Sequence, residues 1–476
     1  MIAPAIVLAS CTVGAAQAQS LFGPPLQFPT DQQTIGVAAD DINSDGRKDV
    51  VVSGCACGAQ ANSKLYIYLQ RADGSLNPTP VIYLPQNSPG GVSIGDLTGD
   101  GRNDLLLRSG LGFEVVPQNA AGTLDPSTFY PSNFSEVARI GDLNGDGRLD
   151  AIGLESSPDG HVNTEEAGVL YQNASGSFDP QVLVPLPHGF NDDLELADLN
   201  GDGRTDVIDA DPFNEPAVVI LYQTATGTLS APVGLSIAPG VFANQLGVGD
   251  VNNDGRKDIV ATYGGWFSDA HVAVFYQNAA GGFSAPSIID TTGELTAVEI
   301  GDFNGDGRKD VALLHRISVG ILLQTATGTL GAETSIAIPE AGGHYQHGFV
   351  ASDINGDNAT DLAYAQVGSQ GALTVLYGTM PAVSNHPPVA KADSATLSCD
   401  DSVVIAVLAN DSDPDGNALK ITAISKPANG TAKLTADGKR IRYEPKRRFR
   451  GTDRFTYTIS DGKGGTASAT VTVVVR

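Results

Sequence analysis

The chain has 476 residues, 56 of them Gly and 27 Pro, a content of turn formers that excludes a long-helix or coiled-coil protein. Its 54 acidic and 28 basic side chains leave a net charge of −26, which repels phosphate backbones and excludes nucleic acid as a partner. No apolar run approaches the ~20 residues of a membrane span, so no transmembrane segment is expected.

Residues Met1 to Ala18 are uncharged and mostly small or apolar. They read as a signal peptide, with Ala16-Gln17-Ala18 as an A-x-A cleavage site. The usual basic n-region is missing, as when a start is assigned downstream of the true one. Leu8-Ala9-Ser10-Cys11 also resembles a bacterial lipobox, which would place a lipid on Cys11. The bland alternative is a disordered apolar tail. Either processed form belongs outside the cell or at its surface. Cys55 and Cys57 flank one alanine and match neither C-x-x-C nor a zinc knuckle. A bridge between them would be strained.

From residue 19 a nine-residue acidic pattern recurs seven times at intervals of 55, 46, 56, 52, 52 and 51 residues. A period near 50 points to a repeat architecture, foremost a propeller. The pattern is D-x-N-x-D-G-x-x-D. Positions 1, 3, 5 and 9 offer side-chain oxygens, position 7 offers a carbonyl, and Gly at position 6 allows a sharp turn. Such hard oxygen donors suit Ca²⁺; Mg²⁺ demands stricter octahedral geometry.

The candidate ligands are Asp41, Asn43, Asp45, Arg47 and Asp49 in the first loop, then Asp96, Thr98, Asp100, Arg102 and Asp104. The third and fourth sets are Asp142, Asn144, Asp146, Arg148, Asp150 and Asp198, Asn200, Asp202, Arg204, Asp206. The fifth and sixth are Asp250, Asn252, Asp254, Arg256, Asp258 and Asp302, Asn304, Asp306, Arg308, Asp310. The seventh is Asp353, Asn355, Asp357, Ala359 and Asp361. The Arg residues and Ala359 would bind through their carbonyls alone, each guanidinium pairing with a nearby carboxylate or lying in solvent. Thr98 is a weaker donor than Asn, and Asn358 stands where six loops have Gly, so the second and seventh sites are expected to be weakest. Solvated acidic turns are the bland alternative. Seven filled loops would bring the charge to about −12.

Short apolar segments flank each loop. Val92-Ser93-Ile94 or Val298-Glu299-Ile300 reads as a first strand, and Leu105-Leu106-Leu107 as a second. Val169-Leu170-Tyr171-Gln172 or Val274-Phe275-Tyr276-Gln277 reads as a third, and Gly282-Phe283-Ser284-Ala285-Pro286 as a fourth. Four strands per repeat make a propeller blade. The last repeat stops at Leu376-Tyr377-Gly378, so Leu21-Phe22-Gly23-Pro24-Pro25 is expected to complete the seventh blade and close the open edge.

The acidic loops, the apolar strands after them and segments such as Phe283-Ser284-Ala285-Pro286 resemble FG-GAP/VCBS repeats, the propeller repeats of integrin alpha subunits. The resemblance spans residues 19–380. It implies a seven-bladed β-propeller with about seven calcium ions, each between the first and second strands of a blade. Dockerins share the loop consensus, but with two copies followed by helices.

Residues 381–388 read as a linker. From 389 to 476 alternating strands are expected at Val403–Leu408, Leu419–Ile424, Arg440–Tyr443, Phe455–Ile459 and Ala469–Val475, which suits a β-sandwich. Before Pro387 the net charge is −30; from there on it is +4. Leu408 to Gly416 and Tyr457 to Gly462 resemble cadherin-like, Ig-like modules of bacterial surface proteins. That resemblance implies one further Ca²⁺ site on Asp411, Asp413 and Asp415, with Asp461 nearby. An acidic turn without metal is the alternative. Lys446, Arg447, Arg448 and Arg450 form a basic cluster that reads as a solvated face or a contact for an acidic partner.

No G-x-S-x-G, H-E-x-x-H or P-loop is present, and no catalytic residue or organic cofactor is assigned. His344 and His347 form an H-x-x-H pair that reads as a surface loop or a metal site. On the face opposite the acidic loops the topology gathers Phe134, His188, Phe190, Phe242, Tyr263, Trp266, Phe267, His344 and Tyr345, as partner anchors or as packing. The chain thus reads as a secreted or surface-held bacterial all-β protein, monomeric and non-catalytic. It would bind extracellular protein or glycan. The runners-up are an enzyme or enzyme accessory acting on extracellular polysaccharide, and a structural envelope component. Convergent carboxylates over the central channel would favour the enzyme.

Overall fold

Each repeat supplies strands that are apolar on both faces. Asp49–Cys55 is buried from Asp49 to Gly54, and Val218–Leu221 is buried throughout. Such strands require cover on both sides, and stacking sheet on sheet provides it. In the computed structural model the described residues are 21–55, 63–109, 112–132, 134–155, 166–187, 193–264, 270–291, 293–340, 348–366, 371–379, 387–399, 401–414, 418–435, 438–462 and 464–476. They form two units that divide between Pro381 and Ala382.

The N-terminal unit contains seven four-stranded antiparallel sheets. Their first strands are Gln33–Asp40, Val92–Gly95, Phe134–Gly141, Asp193–Ala197, Gln245–Gly249, Leu295–Gly301 and Phe349–Ser352. Each lies beside the next, and the last returns to the first, so the sheets form a closed propeller ring. The hydrophobic clusters straddle neighbouring blades: Ile208 and Ala210 of one pack with Ile259 and Ala261 of the next. Each fully buried Val, Leu or Ile contributes about 1.5–3 kcal/mol. Interblade packing therefore carries the fold.

Ring closure runs through the N-terminal segment. Leu26–Pro29 pairs antiparallel with Ala372–Leu376 and forms the outer strand of the seventh sheet. Phe22 bridges to Gly378 and packs on Phe303 at 6.0 Å. The closing strand thus lies a few residues beyond the expected Leu21–Pro25. The same offset holds in every blade. Phe283 makes a single bridge to Gln277, and the fourth strand follows at Ser287–Asp290. The G-x-F-x-x-P segment closes the turn rather than forming the strand.

The C-terminal unit is a sandwich. One sheet runs Asp393–Leu397, Thr466–Val475, Gly451–Ser460, Lys420–Ile424, and the other runs Val403–Ile405, Ile441–Pro445, Gly430–Leu434. Tyr443 and Phe455 stack between them at 6.0 Å with planes 2° apart. The expected strand at Val403–Leu408 stops at Ile405, and a 3-10 turn covers Val407–Ala409. Asp393–Leu397 and Gly430–Leu434 are strands that the alternation pattern did not show.

Candidate functional site

All seven acidic loops join the first and second strands of a blade. In the first, Asp41 Oδ1 accepts from the amides of Asn43 and Asp45 at 3.2 Å, and Oδ2 accepts from Gly46 at 2.8 Å. Asn43 Oδ1 meets the same Asp45 amide at 2.9 Å, so position 1 and position 3 oxygens converge on one point. The amides of Asp146, Asp202, Asp254, Asp306 and Asp357 collect the matching pair in their loops. In the second loop Asp96 alone meets Asp100, because Thr98 supplies no oxygen there.

The chain turns left-handed twice per loop. Position 6 has φ between 69° and 84°, and Asn358 adopts it at 69° as expected. Position 4 does the same, from Ser44 at 60° to Gly145 at 78°. That second turn was missed, although Gly at position 4 in five loops signals it.

Position 9 is fully buried in every loop. Asp49 Oδ1 accepts from Gln70 at 2.8 Å and Oδ2 from Ile42 at 3.3 Å. Burial, and then the carboxylates of Asp45 and Asp41, push Asp49 up to about 6. Asp150, Asp258 and Asp310 rise to about 6 and Asp361 to about 7, again chiefly through burial. Asp104 and Asp206 are also raised.

At position 7, Arg47, Arg102, Arg148, Arg204, Arg256 and Arg308 each pair with the position 5 carboxylate of their own loop. Each Nε also donates to the carbonyl of a glutamine after the third strand, as Arg204 does to Gln223 at 3.0 Å. That glutamine reaches back to the preceding blade. Gln223 Nε2 donates to the Asp142 carbonyl at 2.8 Å, and Gln277 Nε2 to that of Leu199 at 2.5 Å. Loop and blade are thereby stitched around the ring. In the seventh blade Gly378 stands in the glutamine's place and donates its amide to Asp361 at 2.7 Å.

The donor set of three carboxylates, an amide oxygen and a carbonyl fits a hard divalent cation. Among the described residues no three His, Cys, Asp or Glu side chains already converge as an ion cage. In six loops the position 5 carboxylate is turned to its arginine. In the C-terminal unit Asp411 is held by the Lys391 amide at 2.7 Å and the Tyr457 hydroxyl at 3.0 Å. Asp461 accepts from Gly465 at 3.0 Å. Asp415 lies outside the described residues, so the expected trio is not assembled among them.

The face opposite the acidic loops is only partly described. His188, Phe190, Trp266, Phe267, His344, Tyr345, His347 and the side chain of Phe134 lie outside the described residues, as do Cys11 and Cys57. Tyr263 stacks on His271 at 5.0 Å. Cys55 and Cys399 are free thiols.

The central channel holds a site the sequence reading missed. A cavity of about 300 Å³ is lined from all seven blades and carries Asp40, Arg139, Asp193, Glu195 and Glu299. Arg139 lies 3.1 Å from Asp193 and 2.8 Å from Glu195. Glu299 is pushed up to about 8, first by burial and then by Glu195. Asp193 is also raised, by burial against the pull of Arg139. The signal was positional: Arg139, Glu195 and Glu299 each sit three residues before a loop's first Asp, on a strand face turned to the channel.

A folded carboxyl that holds its proton more tightly than the unfolded chain stabilises the fold below the unfolded pKa. That contribution is lost as pH rises through the folded pKa. With the loops saturated in Ca²⁺, the thermal midpoint should therefore fall between pH 6.5 and 9. Glu299→Gln should flatten that slope and raise the midpoint at pH 8.5. Differential scanning fluorimetry across that range checks it, and an unchanged slope would refute it.

A family model described as FG-GAP-like repeat matches residues 41–107, 142–208, 198–261 and 250–313. A second, described as bacterial Ig domain, matches 385–474. The chain is 38% identical over 88 residues to Protein GAMETE EXPRESSED 2 of Arabidopsis thaliana, a match that covers 18% of this chain and 9% of that protein. Among solved structures it is similar to an Agrocybe aegerita lectin described as recognising non-reducing terminal N-acetylglucosamine. That similarity has 16% identity, covers 66% of this chain and 89% of the other, and has a TM-score of 0.49. It is also similar to the V. cholerae biofilm matrix protein Bap1, at 12% identity over 74% of this chain and 89% of the other, with a TM-score of 0.39.

Proposed function

The chain belongs to the FG-GAP-like repeat family and carries a bacterial Ig domain, and from that premise we propose that it is a secreted, calcium-binding, non-catalytic module that binds extracellular protein or glycan. The observation that carries the reading is one loop wiring repeated around a closed ring. Five oxygen donors per loop suit Ca²⁺, and the buried position 9 carboxylate gains when a dication offsets its neighbours. Ion binding would draw the position 5 carboxylate away from its arginine and lock each loop onto the blade that follows. The result is a rigid scaffold whose other face carries loops of differing length and sequence, where recognition is expected. Glycan-array and pull-down screens with and without Ca²⁺ test this. Calcium-dependent capture of an extracellular protein or glycan supports it; equal capture after chelation would refute the coupling.

One observation favours a second reading, an enzyme acting on polysaccharide. The channel does bring carboxylates together, and Glu299 is a carboxylic acid pushed toward neutrality in the way general acids are. Against it, Asp193 and Glu195 share one arginine, an arrangement that ties two neighbouring strands of the ring. Polysaccharide hydrolysis that disappears in Glu299→Gln would establish the enzyme.

A further inference from the structure

We propose that the C-terminal unit carries a binding stripe for a linear anionic polysaccharide along the hairpin of Gly430–Leu434 and Ile441–Pro445. Lys433 and Arg442 stand directly opposite each other in the pairing, and both are exposed. Like charges in that register destabilise a sheet, so the pair calls for an anion. Lys446, Arg447 and Arg450 continue the stripe past the strand end, all exposed. None of these five makes an ion pair among the described residues; Arg442 reaches Ser402 at 3.3 Å and Lys446 the carbonyl of Ala428 at 2.8 Å. The nearby carboxylates do not neutralise them. Asp453 is buried beneath Tyr443 at 2.8 Å, which leaves Glu444 as the exposed acid among the described residues of the hairpin.

The shape argues for a thin flexible chain. Five residues of paired strand span about 17 Å and little more than one interstrand spacing in width. Single-stranded nucleic acid is disfavoured, because it needs aromatic platforms and Tyr443 and Phe449 pack into the core. The acidic propeller of a second copy is disfavoured too. On the proposed function its loop carboxylates are occupied as Ca²⁺ ligands. A polysaccharide bearing carboxylates or sulfates remains. The stripe lies wholly within the C-terminal unit, so its failure would leave the propeller reading untouched, and the reverse.

The test measures binding of the full chain to immobilised polygalacturonate and to heparin fragments at 50 and 200 mM NaCl. Binding to at least one is expected, weakening about tenfold or more at the higher salt. The triple variant Lys433→Gln, Arg442→Gln, Arg447→Gln should lose about tenfold at 50 mM, with its thermal midpoint raised or unchanged because the opposed like charges are gone. Lys391→Gln with Lys420→Gln should bind as the parent does. If the triple variant unfolds, Arg447→Gln with Arg450→Gln, outside the strands, carries the same expectation. No binding to either polymer, undiminished binding by the variants, preference for a DNA probe, or a self-association that the variants abolish would each overturn the proposal.

Discussion

Chelating divalent cations should lower the thermal midpoint of the N-terminal unit by more than about 10 °C, and restoring Ca²⁺ should reverse the loss. A single site held at a hundred times its dissociation constant adds about 2.7 kcal/mol, and a unit of this size shifts by roughly 1–2 °C per kcal/mol. Several loops acting together exceed the stated drop. The sign follows from the charges: each loop gathers three carboxylates around one turn, and position 9 lies buried at its base. Scanning calorimetry with EDTA and then excess CaCl₂ reads the result.

Gly227→Ala should destabilise the propeller by about 3 kcal/mol, whereas Gly281→Ala should cost about 1–2 kcal/mol. Both glycines end the turn between third and fourth strands, at φ of 72° and 81°. A left-handed backbone penalises both alike. They differ in what a Cβ would meet. At Gly227 it would stand 2.3 Å from the carbonyl of Asn144 in the preceding blade's acidic loop; at Gly281 it meets nothing within 4 Å. The first substitution therefore presses on a proposed metal loop and should also weaken its Ca²⁺ affinity. Urea denaturation of both variants, with and without Ca²⁺, separates backbone strain from loop contact.

The period of the acidic loops makes the ring legible in the sequence, because each blade repeats one loop at one place. Ring closure was legible for the same reason: the last repeat lacks a piece that Leu21 to Pro29 supplies. The fourth strand was misplaced. Phe283 alternates with its neighbours like a strand residue, yet it serves to close the turn against Gln277. The left-handed position 4 was overlooked because Ser44 and Asn253 mask the glycine pattern there. The channel charges were invisible as a group. Arg139, Glu195 and Glu299 come from three repeats and look like single substitutions in short strands until the ring brings them together. The glutamine braces were hidden in the same way, since Gln223 and Asp142 are 81 residues apart.

Counting bound calcium tests the central claim most directly. Elemental analysis of the chain after equilibration with CaCl₂ and removal of free ion should return at least about five Ca²⁺ per chain, with the loops of Thr98 and Asn358 the first to empty. Fewer than one bound ion per chain would contradict the account.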